Sequence, residues 1–250
     1  MTFWEAVLVA IAGVWAGTIN TVVGSGTLIT FPVLLGIGIP PVTANVSNTV
    51  GLFPGSFTGA YGYRRELEGQ GRRAVVLGTG SVLGAIVGAV LLLELPAGAF
   101  KSIVPALIIL ALLLVVFGSR ITNWLISRGH QASEDVSVLL WLTVFGTGIY
   151  GGYFGAAQGV LLMGFLGLFL AEPLQRQNGL KNVLAGLANL VAAIVFIATT
   201  HIDWAAAGLV AGGAIVGAVL GAHIGRRLSP PVLRAVIVVV GLAAVVKLLV

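Results

Sequence analysis

Long apolar stretches separated by short polar ones cover almost the whole chain. They fall near residues 3–19, 27–38, 43–63, 74–95, 98–118, 137–150, 159–171, 180–199, 204–225 and 231–249. Because a bilayer crossing needs about 20 mainly apolar residues, this pattern predicts about ten membrane segments and hardly any domain outside the lipid. The second and seventh stretches would rise only about 18 Å, too little for a hydrocarbon core about 30 Å thick, so we expect half-helices there.

Composition supports a membrane protein. Of the 250 residues, 58% are hydrophobic and 8% are charged, whereas soluble domains carry about 25% charged residues. No cysteine is present, which excludes disulfides, thiolate metal sites and cysteine nucleophiles. Residues 1–9 contain no Lys or Arg, so they lack the basic region of a cleaved signal peptide. We predict an all-α polytopic membrane protein without cofactor or metal.

The positive charges lie mostly on one side of the predicted segments. If each segment crosses, eleven cations fall at one face and only Lys101 and Lys247 at the other. The eleven are Arg64, Arg65, Arg72, Arg73, Arg120, Arg128, Arg176, Lys181, Arg226, Arg227 and Arg234. By the positive-inside rule, the rich face is cytoplasmic and both termini lie outside a bacterial or archaeal inner membrane. The same sides are predicted if segments one and two, or six and seven, form re-entrant hairpins instead of crossing. Homo-oligomerisation is possible, and the sequence leaves it open.

The two halves of the chain resemble each other. The sequence of residues 84–91, GAIVGAVL, recurs at 213–220, in the fourth segment of each half. Because each half has five segments, the second copy would begin on the opposite face, which predicts an inverted-topology repeat typical of secondary transporters. We assign residues 1–118 to the first membrane repeat, 119–136 to a cytoplasmic linker and 137–250 to the second repeat. Glycines spaced by four residues in the fourth segments are expected to serve close helix packing; they are Gly80, Gly84, Gly88, Gly213, Gly217, Gly221 and Gly225.

Glycines and polar residues interrupt the apolar pattern near the start of each half. Because glycine weakens helices and permits unusual backbone angles, we expect residues 20–26 and 152–158 to be non-helical. Two such breaks should meet near the midplane, where the N-termini of the following half-helices offer unpaired N–H groups and positive dipoles to a small anion. The candidate binding residues here are Asn20, Thr21, Gly24, Ser25, Gly26, Thr27, Gly155, Ala157 and Gln158.

Matching polar stretches begin the third and eighth segments. They supply the further candidates Asn45, Asn48, Asn178, Lys181 and Asn182. Amide side chains can donate hydrogen bonds to an oxyanion without the desolvation penalty of a full charge. Lys181 is either a cationic ligand within the cavity or a loop-end lysine that extends to the cytoplasmic surface.

The first break and its surroundings resemble a known family. The run Gly24-Ser25-Gly26-Thr27-Leu28, followed by residues 31–35 (FPVLL), Pro40 and residues 43–45 (TAN), is similar to the glycine-rich opening of the TauE/SafE sulfite exporter family. The second half carries a fainter copy. The resemblance implies export of sulfite, sulfoacetate or a related organosulfur anion.

Every Asp and Glu lies near a segment end, so no membrane carboxylate is available for ion coupling. We therefore expect facilitated export driven by the inside-negative potential. If backbone groups dominate binding, Lys181→Ala weakens transport modestly, whereas bulky residues at Gly26 or Ala157 block it. The alternatives are uptake of another small anion or organosulfur compound, an intramembrane enzyme, for which no catalytic constellation is found, and a structural subunit.

Overall fold

The protein is all-helical in the part that the structure describes. The computed structural model describes residues 1–127 and 135–224, together with 238, 239 and 242. The helices are α1 (Phe3–Val22), α2 (Thr27–Gly36), α3 (Pro41–Gly62), α4 (Gly71–Glu94), α5 (Ala97–Ser127), α6 (Val138–Tyr153), α7 (Gln158–Phe169), α8 (Leu174–Thr199) and α9 (Trp204–Ile224). They correspond in order to the first nine predicted segments. The tenth predicted segment lies outside the described residues except at those three positions.

The lengths of the helices agree with a polytopic membrane protein. Four are long and apolar enough to cross a bilayer: Phe3–Val22, Gly71–Glu94, Leu174–Thr199 and Trp204–His223. By contrast, α2 has 10 residues and α7 has 12, so they rise about 15 and 18 Å and cannot span the hydrocarbon core. The expectation of two half-helices is confirmed. Helix α5 continues to Ser127, past residue 118 where the apolar stretch ends, and so enters the segment assigned as linker.

Two helix pairs are packed through small residues. Helix α1 lies along α9, and α6 lies along α4. A methyl group added to Gly217 would lie 2.0 Å from the carbonyl oxygen of Val14, and one added to Gly88 would lie 2.0 Å from that of Ile149. Only glycine permits such backbone contact, which confirms the packing role predicted for the four-residue glycine spacing; Gly225 lies outside the described residues.

The pairing of helices is reciprocal between the halves. The first helix of each half packs against the fourth helix of the other, namely α1 against α9 and α6 against α4. The third helices, α3 and α8, pack against each other and also against these fourth helices. Helices α3 and α8 therefore lie between the two pairs, next to the two breaks.

An ion-pair network joins the two halves at the loops that precede α4 and α8. Glu172 accepts from Arg73 and, at 2.6 Å, from Nε of Arg176. The Arg176 Nη2 donates to the Glu68 carbonyl at 3.1 Å, and Gln70 Nε2 donates to the Arg176 carbonyl at the same distance. Burial alone would raise the pKa of the Glu172 carboxyl, but the hydrogen bonds and charges of the two arginines outweigh it and lower that pKa. The network is on the face predicted to be cytoplasmic.

Candidate functional site at the two helix breaks

The two breaks begin with the same glycine helix stop. Helix α1 ends at Val22, and Gly24 then adopts the left-handed region with a φ of 89°; α6 ends at Tyr153, and Gly155 has a φ of 73°. Each of these glycines donates its N–H, at 3.0 Å, to the carbonyl five residues earlier. This is a helix stop for which glycine is best suited because a Cβ is disfavoured there.

Both breaks are shorter than predicted. The non-helical residues are 23–26 and 154–157, whereas the expectation was 20–26 and 152–158. Asn20 and Thr21 belong to the last turn of α1, and Gln158 is the first residue of α7. The prediction was wrong at these ends because a polar side chain by itself does not stop a helix, whereas the left-handed glycine does.

The first break directly touches the start of α7, two residues after the second break. The Gly159 N–H donates to the Gly24 carbonyl at 2.9 Å. A Cβ built on Gly24 would lie 2.3 Å from the Gly159 Cα, so no side chain fits between the two chains. The expectation that the two breaks meet is confirmed, and α7 begins against the first break.

Helix α8 caps the end of α1. Lys181 Nζ donates to the carbonyls of Asn20 and Thr21, both at 2.9 Å, and Asn182 Nδ2 donates to the Thr21 carbonyl at 3.2 Å. The last carbonyls of a helix have no intrahelical donors and carry its negative dipole end, so a cation and an amide are suitable partners.

Helix α3 caps the end of α6. Asn45 Nδ2 donates to the Tyr153 carbonyl at 2.9 Å, in the last turn of α6. Its neighbour Asn48 contacts α2 instead: Nδ2 donates to Thr27 Oγ1 at 3.2 Å, and Oδ1 accepts from the Thr30 hydroxyl. Each half therefore holds the helix end of the other half in place.

Lys181 is fully buried, with 0% of its surface exposed. The reading of Lys181 as a loop-end lysine at the cytoplasmic surface is therefore wrong, and removing it leaves ten cations against two in the charge count. Among the described residues, no carboxylate forms an ion pair with it. An ammonium has three N–H donors, and two are used by the α1 carbonyls. If Lys181 is an ammonium, one of its donors lacks a partner, and the dipole end of α1, not a carboxylate, faces its charge.

Buried polar atoms without hydrogen-bond partners gather around the breaks. Such atoms are rare in proteins, and each calls for a missing ligand, water or ion. Ser25 Oγ follows Gly24 directly, and the Gln158 amide lies over Gly151 of α6. The unpartnered atoms of this group are Thr21 Oγ1, Ser25 Oγ, Asn45 Oδ1, Tyr153 Oη, Gln158 Nε2 and Asn178 Oδ1.

Backbone N–H groups at the same place are also free. In residues 1–127 and 135–224, no protein acceptor bonds the amides of residues 25–27 or of residues 156 and 157. These are the groups that precede or start α2 and α7, where the helix dipoles are positive. The Ser25 hydroxyl, the Gln158 Nε2 and the third N–H of a charged Lys181 are further donors in or next to the two breaks, and donors of this kind suit an anion.

Some predicted residues have protein partners of their own. Asn20 Nδ2 donates to Ser56 Oγ at 3.1 Å, and Thr27 is bonded to Asn48. Gly26 is packed against α1, because a Cβ there would lie 2.6 Å from the Ala16 carbonyl oxygen. A bulky residue at Gly26 is therefore expected to disrupt helix packing rather than to fill an approach to the backbone.

Sequence reasoning missed Tyr150, which shapes the second break, and the left-handed backbone of Ala157, which had been predicted only as a binding residue. The hydroxyl of Tyr150 donates to the Ala156 carbonyl at 2.5 Å and so fixes the turn. The backbone of Ala157 has a φ of 59°, which is costly for a residue with a side chain. The only signal for Tyr150 in the sequence was a polar ring tip five residues before the glycine of the break.

The comparisons with known proteins agree with this architecture. The family model described as sulfite exporter TauE/SafE matches residues 9–248. A probable membrane transporter protein, ORF9, of a Sinorhizobium species is 28% identical over 96% of this chain and 90% of its own length. A probable membrane transporter protein from Haemophilus influenzae is 24% identical over 94% of this chain and 91% of its own length. The probable membrane transporter protein YfcA of Escherichia coli K12 is 25% identical over 94% of this chain and 86% of its own length. No solved structure matches the chain. The chain belongs to the TauE/SafE sulfite exporter family of membrane transporters.

Proposed function

We propose that this transporter carries a small sulfur oxyanion, such as sulfite or an organosulfonate like sulfoacetate, out of the cell, with the anion bound where the two breaks meet. The observation that carries the proposal is a group of buried donors without partners at the breaks, Ser25 Oγ and Gln158 Nε2, next to the N–H of a charged Lys181 that the α1 carbonyls leave free. Sulfur oxyanions only accept hydrogen bonds, so they complement such a set. The TauE/SafE family membership favours sulfur among the possible oxyanions.

We further infer that the two halves are inverted repeats, each with a half-helix, that rock about the shared site. The matched glycine stops and the reciprocal packing of α1 with α9 and of α6 with α4 support this arrangement. In inverted repeats, half-helices approach a central site from opposite faces, and the anion would meet two positive dipole ends. The charge bias supports an orientation in which both termini face the outside of the inner membrane.

Outward transport follows from the membrane potential. An inside-negative potential contributes about 2.3 kcal/mol per elementary charge per 100 mV, so it drives a net negative load out of the cell. In proteoliposomes loaded with sulfite, we expect efflux above that of protein-free liposomes. Efflux should be faster with a negative interior than with a positive one. Equal rates with and without protein would contradict the transport proposal, and equal rates at both polarities would contradict the driving force.

A matched pair of variants tests the position of the site. Ser25 has a buried, unpartnered hydroxyl, whereas the Ser102 hydroxyl is exposed and bonds the Gly98 carbonyl at 3.0 Å. A hydrogen bond to a charged group contributes about 1.5–3 kcal/mol, so Ser25→Ala should weaken sulfite binding by about 10- to 150-fold. It should leave thermal stability unchanged or higher, because an unpartnered polar atom is removed. Equal sulfite affinity in Ser25→Ala and Ser102→Ala would place the site elsewhere.

A further inference from the structure

The hydrogen bonds of Lys181 match a neutral amine. A neutral amine has two N–H donors and a lone pair, whereas an ammonium has three donors and no acceptor. The protein offers two acceptors, the carbonyls of Asn20 and Thr21, each 2.9 Å from Nζ. In the empty site, the amine has every N–H bonded. An ammonium would keep one N–H without an acceptor, and its charge would face only the dipole end of α1 and no carboxylate, in a place with 0% exposure.

The charged groups on the surrounding elements do not compensate that charge. Helix α8 packs against α1, α3, α4, α6 and α7. The carboxylate of α1 is Glu5, about 22 Å along the helix from the turn that Lys181 contacts. The carboxylate of α4 is Glu94, at its far end, and the arginines of α4 are in its first turn. Helix α7 has no titratable residue. Within the described residues, neither carboxylate pairs with Lys181.

The remaining titratable groups nearby are tyrosines and loop residues. On α6, Tyr150 donates its hydroxyl to the Ala156 carbonyl, and Tyr153 is in the last turn. At the end of α3, Tyr63 lies against Gly179, two residues before Lys181 on α8. A neutral tyrosine carries no charge and so cannot balance an ammonium. In the loop beyond, residues 64–68 include two arginines and two glutamates outside the helices.

A bound anion supplies what the ammonium lacks. It brings an acceptor for the third N–H and a negative charge within the same buried site. We propose that Lys181 takes up one proton as the anion binds, so that anion and proton are bound together; this rests on the anion site proposed above. The step is Lys-NH2 plus H⁺ plus anion giving Lys-NH3⁺ hydrogen-bonded to the anion, with both taken from the same aqueous side and released together.

Because a proton travels with the anion, the net negative charge that is transported is smaller by one. A divalent sulfite with its proton still carries one net negative charge, so the potential still drives it outward. A monovalent organosulfonate with its proton is electrically neutral, and its transport follows the concentration and pH differences alone. By linkage, the anion favours the proton to the same extent that the proton favours the anion.

The test measures proton uptake on anion binding to the purified full chain in nanodiscs. The probe is sodium methanesulfonate, whose charge does not change between about pH 6 and 9, so every proton taken up is bound by the protein. Anion binding is measured by calorimetry, and proton uptake is measured with a pH indicator in weak buffer. We expect uptake approaching one proton per anion on the alkaline side, with affinity falling about tenfold per pH unit.

Two variants identify the proton carrier. Lys181→Arg is always charged, so it should keep anion binding and lose the pH dependence; Lys181→Met should bind weakly at every pH. The control, Arg65→Met, alters an exposed cation and should keep both the affinity and its slope. Binding of methanesulfonate by the wild-type chain without proton uptake would overturn this inference and leave the anion site intact. If the wild-type chain did not bind methanesulfonate at all, the anion site and this inference would both be overturned. This result comes from the wild-type chain and does not depend on the folding of any variant.

Discussion

The contact between the two breaks gives a quantitative prediction for Gly159→Ala. The new Cβ would lie 2.4 Å from the Gly24 Cα and 3.0 Å from its carbonyl oxygen. Carbon atoms in contact are about 3.5–4.0 Å apart, so the two breaks must separate by more than about 1 Å. The hydrogen bond from the Gly159 N–H to the Gly24 carbonyl, now 2.9 Å, would be lost.

The energy of this change follows from the same geometry. Overpacking costs about 1–3 kcal/mol, and loss of the hydrogen bond about 0.5–1.5 kcal/mol. Alanine in place of glycine returns up to about 1 kcal/mol of helix stability. The control is Gly146→Ala in α6, where an added Cβ meets nothing within 4 Å. This variant should therefore gain the helix stability of alanine without the cost of overpacking or of a lost hydrogen bond. The two variants should therefore differ by about 1.5–4.5 kcal/mol in unfolding free energy.

The assay is reversible unfolding in mixed detergent micelles, with SDS as denaturant, followed by sulfite efflux from proteoliposomes. We expect Gly159→Ala to unfold at a lower SDS fraction than the wild type and to transport more slowly, since its breaks no longer meet. Gly146→Ala should unfold at the same or a higher SDS fraction and transport normally. If both variants unfold together, the close contact between the breaks does not contribute to stability, and the reasoning fails.

Three further predictions concern packing, pH and topology. Gly217→Ala should lower the unfolding free energy by about 1–3 kcal/mol because its Cβ would lie 2.0 Å from a carbonyl oxygen of α1, whereas Gly212→Ala, in open space on the same helix, should raise it; equal effects would contradict the packing. The Glu172 pKa is lowered from 4.5 in the folded chain, so its stabilisation is complete above that pH and lost as pH falls below it, and Glu172→Gln should remove this acid sensitivity of detergent unfolding; an unchanged pH profile would argue against the ion-pair network. Cysteines at Arg65 and Thr2 should react with impermeant reagents from opposite sides of the membrane, and reaction from one side would refute the charge-based topology.

The sequence by itself determined the helices and the breaks. Apolar runs of sufficient length have no soluble alternative, so the order of segments and the two half-helices could be read from hydropathy. Glycine identity also favoured the local structure, because only glycine adopts without strain the left-handed conformation by which Gly24 and Gly155 stop α1 and α6. The four-residue glycine spacing predicted close packing because only glycine allows backbones to touch.

The ends of the breaks could have been predicted better from the same information. Taking the glycine stop as the boundary would have kept Asn20 and Thr21 in α1. Their polarity had favoured a longer break, but helix propensity differs little between polar and apolar residues compared with the effect of glycine.

Only the tertiary structure decided which polar groups are satisfied and which are left free. Asn45 and Asn48 are one turn apart with the same chemistry, yet one caps the Tyr153 carbonyl and the other binds Thr27. The orientation of Lys181 was equally open, because seven residues into α8 its long side chain could reach either the surface or the interior. It is buried because the carbonyls at the end of α1, which come from the other half of the chain, accept its hydrogen bonds. Such contacts join residues some 160 positions apart, and no local pattern encodes them, since they depend on how the two halves pack.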